Sequence, residues 1–259
     1  MQLHFKEYGK FGEVVIILHG LFGSLDNWHS ISTALSTQYR VFALDQRNHG
    51  RSPHDTVMSY AAMAEDVRIF MDSHGIRRTS LIGHSMGGKT SMQLALTHPS
   101  RIQRLVVVDI SPTAYDGLHA LILDALMRLD LRTHSSRAEL ESALEPAIPD
   151  LAVRRFLLKN AVREPGGGFN WRMNLEAVHA NYSSIQAALD GDRVYTGPTL
   201  FVKGELSNYI RPDSMQIIKR LFPAAVVETI PGADHWVHAE SPELFLEHVR
   251  NFLAKPIDS

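Results

Sequence analysis

The sequence predicts an α/β protein: a mainly parallel central sheet flanked by helices and interrupted once by a helical insertion. Three observations carry this. Short β-branched runs recur along the chain and are continuous rather than alternating, as in strands buried on both faces. Helical patterns separate those runs. One long stretch breaks the alternation and holds no convincing buried strand.

The first run is VVIIL at 14–18, and the second is VFAL at 41–44. Residues 60–74 place Met63, Val67, Phe70 and Met71 at helical spacing and stop before Gly75, a C′ residue that favours positive φ. SLIG at 80–83 is the next run, and the helical pattern that leaves it, 86–98, halts at Pro99. RLVVVDI at 104–110 follows. TLFVK at 199–203 and AVVETI at 225–230 complete the set. Each precedes a helix or follows one: 212–221 opens on Pro212, and 241–253 opens on Ser241 as N-cap with Pro242 at N1.

The break runs from 112 to 195. Residues 117–131 are amphipathic, with Leu118, Leu121, Ile122, Ala125, Leu126 and Leu129 on one stripe. Ser136 and Glu139 fit a capping box. Residues 149–160 and 174–189 are also helical in pattern, and Gly166-Gly167-Gly168 divides them. The expected organisation is a core of 1–111 and 196–259, with 112–195 as a helical lid.

Composition narrows the chemistry. The chain has 259 residues and no cysteine, which excludes a thiol nucleophile, a disulfide scaffold, a Cys-based zinc site and an iron–sulfur cluster. Its 26 lysines and arginines against 28 aspartates and glutamates leave a net charge of −2, no basis for a nucleic-acid or anionic-membrane partner. The opening MQLHFKEYGK has no apolar h-region and no run is long enough to span a bilayer, so the expected location is cytoplasmic. No HExxH, P-loop or dinucleotide glycine motif is present, so neither a metal nor an organic cofactor is expected.

The strongest local signal is Gly83-His84-Ser85-Met86-Gly87-Gly88, which leaves a strand and opens a helix. This is the context a nucleophile elbow requires: a tight turn with Ser85 at strained angles, Gly83 and Gly87 relieving the crowding, and a helix N-terminus that favours developing negative charge. A hydroxyl needs a base. Among 14 histidines, position selects His235, in PGADHW between the last strand and the last helix; His238 is the rival. An oxyanion site needs two backbone N–H groups. Met86 follows the nucleophile, and the loop His19-Gly20-Leu21-Phe22-Gly23-Ser24 offers Leu21, with Phe22 as alternative.

HGLFGS, DQRNHGRS at 45–52 and GHSMGGK at 83–89 together resemble serine esterases of the α/β-hydrolase superfamily, in particular the YbfF-type esterase group, over almost the whole chain. The resemblance implies an α/β-hydrolase fold, a Ser, acid, His order along the chain, and a bracing role for DQRNHGRS. Most members carry the acid after the penultimate strand, where this chain reads Gly204-Glu205-Leu206-Ser207 and Ser207 cannot hold a charge. The YbfF-type group carries it in the segment matching Val108-Asp109-Ile110-Ser111-Pro112, which points to Asp109, with Glu205 as the alternative. The implied activity is hydrolysis of small-molecule carboxylic esters, extending to acyl-CoA thioesters, by a Ser85–His235–Asp109 acyl-enzyme route. Carbon–carbon bond hydrolases and cofactor-free synthases of the same superfamily, or a ligand receptor on this scaffold, remain alternatives.

Overall fold

The computed structural model describes residues 1–115, 119–189 and 191–256. Within them the strands are, in chain order, β1 (Phe5–Tyr8), β2 (Val14–Leu18), β3 (Arg40–Leu44), β4 (Thr79–His84), β5 (Ile102–Val108), β6 (Ala161–Arg163), β7 (Phe169–Trp171), β8 (Thr199–Gly204) and β9 (Ala225–Ile230). The helices are α1 (His29–Leu35), α2 (Tyr60–Ser73), α3 (Met86–Thr97), α4 (Ala120–Arg128), α5 (Arg137–Leu144), α6 (Leu151–Leu158), α7 (Leu175–Ala180), α8 (Tyr182–Gln186), α9 (Ser214–Leu221), α10 (Val237–Glu240) and α11 (Pro242–Leu253).

Seven strands form one sheet in the order β1-β3-β2-β4-β5-β8-β9. Only the β1–β3 pair is antiparallel. Its alternation buries two cores. Along β2, Ile16 and Leu18 face one with Phe70 and Met92, whereas Val15 and Ile17 face the other with Trp28 and Phe245. Burial on both faces is why these strands read as unbroken apolar runs. Each fully buried Leu, Ile or Phe contributes about 1.5–3 kcal/mol by leaving water.

The strands sequence reading missed lie where this signal is weakest. β1 is a half-exposed edge strand, FKEY, with no apolar run. The 112–195 segment is not wholly helical: β6 and β7 form an antiparallel hairpin whose turn holds Gly167 and Gly168 at φ 95° and 72°. The three glycines therefore close a hairpin rather than only dividing two helices. The 174–189 pattern is two short helices, broken at Asn181, whose side chain donates to Thr56 O at 2.8 Å. On α4 the buried residues are Leu123 and Leu126, while Leu121 is exposed, so the stripe is rotated from the expected one; Gly117 and Leu118 lie outside the described residues. The Ser136–Glu139 cap forms on its Ser136 side, but the Glu139 carboxylate reaches Ser135 N at 2.8 Å. No helix among the described residues is long and apolar enough to cross a membrane.

Candidate active site

The register of the central strands sets the site. His84 at the end of β4 pairs with Val108 at the end of β5, so Ser85 and Asp109 leave the sheet side by side. Both turn at positive φ, 52° for Ser85 and 49° for Asp109. Those angles are costly for side chains and persist only where surroundings hold them. Here Ser85 N donates to Val108 O at 3.0 Å and Asp109 N to Val202 O at 2.8 Å. The elbow is packed backbone to backbone: a Cβ on Gly83 would lie 2.2 Å from Gly87 O, and one on Gly87 would lie 2.4 Å from Leu18 O. No side chain caps α3, which leaves its first-turn N–H groups, Met86 among them, without a capping partner among the described residues.

Asp109 is fully buried and meets three donors. His235 Nδ1 lies 2.8 Å from Oδ2, Gly204 N donates to Oδ1 at 3.1 Å, and the Ser207 hydroxyl donates to Oδ2. Nδ1 thus carries the proton and Nε2 is the free ring nitrogen. Ser85 and His235 both line the same small cavity. Burial raises the Asp109 carboxyl above its ordinary range, against the pull of the Ser207 and Gly204 donors. Burial lowers the His235 imidazole, which favours the neutral form a base requires. The alternatives lie elsewhere. Glu205 turns outward and accepts from Gly232 N at 2.8 Å. His238 is buried on α10, stacked on Trp28 at 4.1 Å.

The His19–Ser24 loop is held by the DQRNHGRS turn. Gln46 N donates to His19 Nε2 at 3.0 Å, and Asp45 accepts from Leu25 N at 2.8 Å. Phe22, at φ 61°, donates its N–H to His49 Nε2 at 3.2 Å, so that donor is occupied. Leu21 N has no partner among the described residues, as an oxyanion donor requires. From the 112–195 segment, Asn160 Nδ2 donates to Phe22 O at 2.7 Å.

Four supports were not foreseen. Ser207 stands where a family acid was sought and hydrogen-bonds the acid candidate instead. Tyr209 stacks on the His235 ring at 4.1 Å. His84 Nε2 lies 3.0 Å from His235 O and ties the elbow to the histidine loop. His119 joins the wall from the far segment. His84, inside the elbow motif, and Ser207, at the usual family acid position, carried a sequence signal; Tyr209 and His119 depend on contacts between distant loops. Ser85 and His235 line a small apolar cavity of about 90 Å³, walled by Phe22, Ile122, Val153 and Phe156. A second cavity of about 400 Å³ shares its Leu21, His84, Phe156 and Trp236 walls and is rimmed by Asp26, Lys159 and Glu240.

Residues 13–242 match the family model of the alpha/beta hydrolase fold. The chain is 40% identical to a mouse protein named sn-1-specific diacylglycerol lipase, over 93% of this chain and 80% of the relative. It is 34% identical to the Escherichia coli esterase YbfF over 92% of each chain. A solved marine microorganism esterase superposes with a TM-score of 0.95 at 42% identity, covering 97% of this chain and 99% of the other.

Proposed function

This chain belongs to the α/β-hydrolase fold family and is a carboxylic ester hydrolase of the YbfF-type esterase group, and on that premise we propose that Ser85, His235 and Asp109 act as its nucleophile, base and acid. Ser85 Oγ attacks the acyl carbonyl while His235 Nε2 takes its proton. Asp109 holds the imidazole through Nδ1 and offsets the charge of the imidazolium. The N–H groups of Leu21 and Met86 receive the oxyanion. His235 then protonates the departing alcohol or thiol, and water attacks the acyl-enzyme with His235 again as base.

The observation that supports this most is the 2.8 Å contact of His235 Nδ1 with the buried Asp109, on the loop beside the strained Ser85 turn. An orphan carboxylate at that depth would cost several kcal/mol, so its three donors are the reason it can sit there. Residues 112–195 form the lid in this reading, because they supply Ile122, Val153 and Phe156 to the wall facing Ser85. The apolar lining suits the acyl part of small-molecule esters and of acyl-CoA thioesters.

A fluorophosphonate probe tests the assignment, read by peptide mass spectrometry. The adduct is expected on Ser85, and labelling should fall sharply in His235→Ala. An adduct on another serine would overturn it. Burst kinetics with p-nitrophenyl esters and turnover of a panel of acyl-CoAs separate ester from thioester use.

A further inference from the structure

Lys89 ends the GHSMGGK run, and nothing in the chemistry above uses it. It follows Ser85 by one helical turn on α3 and is fully buried. A buried ammonium is unfavourable unless its protons find acceptors. Lys89 Nζ donates to Thr113 O at 2.7 Å and to Ala187 O at 2.6 Å, with Gln186 O at 3.5 Å. The rings of Tyr115 and Tyr60 lie 4.9 and 5.6 Å from it, close enough for cation–π attraction. Burial lowers this ammonium to about 7, and the carbonyls and rings favour the charged form.

The acceptors are informative. Thr113 lies where the chain enters the 112–195 segment, and Gln186 and Ala187 lie on its returning stretch. These two stalks are bonded to each other: Tyr115 N donates to Gln186 O at 3.2 Å and Leu189 N to Pro112 O at 2.8 Å. Tyr60 on α2 adds a hydrogen bond from its hydroxyl to Ile185 O at 2.5 Å. One cation on the nucleophile's helix therefore bonds both stalks of the segment that walls the cavity.

We infer that Lys89 is a positioning residue that clamps both stalks of the lid to the helix carrying Ser85, and so sets which acyl lengths the cavity accepts. The inference rests on the reading of Ser85 as nucleophile and 112–195 as lid. Lys89 touches no substrate and moves no proton. Its effect passes through the distance between the lid walls and Ser85 Oγ, and a small misplacement of such walls is enough to change turnover.

Lys89→Met and Tyr60→Phe in the full chain test it, with p-nitrophenyl acetate, butyrate, hexanoate and octanoate as probes and thermal unfolding recorded alongside. Lys89→Met keeps length and apolar bulk but removes the donors. The KM for hexanoate and octanoate should rise about tenfold, while kcat for acetate stays within about twofold. Tyr60→Phe removes one stalk hydrogen bond and keeps the ring, and should move the profile the same way by less. An unchanged chain-length profile in a folded Lys89→Met protein overturns the inference. So does an equal loss on every ester that follows the loss of Tm, because Lys89 would then support only the fold. If Lys89→Met does not fold, Tyr60→Phe decides, and an unshifted profile overturns the inference. Ser85→Ala keeps the two readings apart: retained hydrolysis sinks the nucleophile assignment, whereas its loss beside an unchanged Lys89→Met profile sinks only the clamp.

Discussion

The sheet and the 112–195 segment solve different problems with different materials. The sheet carries Ser85 and Asp109 on turns that leave the adjacent parallel strands β4 and β5, and His235 on the loop after β9, with both faces covered by packed side chains. The segment is a set of short helices and one hairpin, and it leaves Leu121, Met127 and Leu151 exposed. It is tied to the rest of the chain by hydrogen bonds spread over its length, among them Asn160 to Phe22 O, Asn174 N to Asn48 O, Asn181 to Thr56 O and Lys89 to the stalks. Reacting groups need placement to within a fraction of an ångström, which close-packed strand ends supply. A wall needs only shape, which short helices supply and can vary. Substitutions in the sheet should therefore abolish turnover, whereas substitutions in the segment should redistribute it among substrates.

Four measurements sharpen that contrast, from the largest effect down. Ser85→Ala should lower kcat on p-nitrophenyl butyrate by about 10⁶-fold, as removal of a serine nucleophile does in other triads. Circular dichroism should be unchanged; near wild-type turnover would mean the sheet does not hold the chemistry. Asp109→Asn should cost about 10⁴-fold in kcat, because an amide favours the wrong tautomer of His235, while Glu205→Gln should leave kcat alone. A reversal of those two outcomes would transfer the acid to Glu205.

Ser207→Ala removes a donor that favours the Asp109 carboxylate. The expected loss in kcat/KM is about tenfold to a hundredfold, the size of a hydrogen bond to a charged group. The pH profile gives a second readout. The Ser207 bond lowers the Asp109 pKa, so its removal raises that pKa and the carboxylate is lost at higher pH. The acid limb of kcat/KM should move upward; a fixed limb would show that Ser207 does not act through the carboxyl. Phe156→Ala, in the wall between the two cavities, should change the ratio of kcat/KM for bulky over small esters about tenfold with little change on acetate. An equal fall on every ester would erase the contrast between the two regions.

Legibility in the sequence followed the same division. The elbow is a local device, since Gly83, Ser85 and Gly87 meet within one turn, and it was readable as a string. The five inner strands were readable because burial on both faces demands unbroken apolar runs. β1 and the β6–β7 hairpin were not, because short edge strands carry too few buried positions to show a period. The meeting of Asp109 with His235 was ordered by chain position and resemblance, but its support by Gly204, Ser207 and Tyr209 comes from the end of β8 and the loop that follows it, which touch both only in three dimensions.

By itself, then, the sequence determined the class of fold, the absence of thiol chemistry and the turn that presents Ser85, because composition and local backbone strain are properties of neighbouring residues. Tertiary structure decided which carboxylate His235 meets, which N–H of the His19–Ser24 loop is left unpaired, and where Lys89 directs its three donors. Each of those depends on strand register and on packing between segments far apart in the chain. A one-residue change in register would redirect all of them without altering a single local pattern.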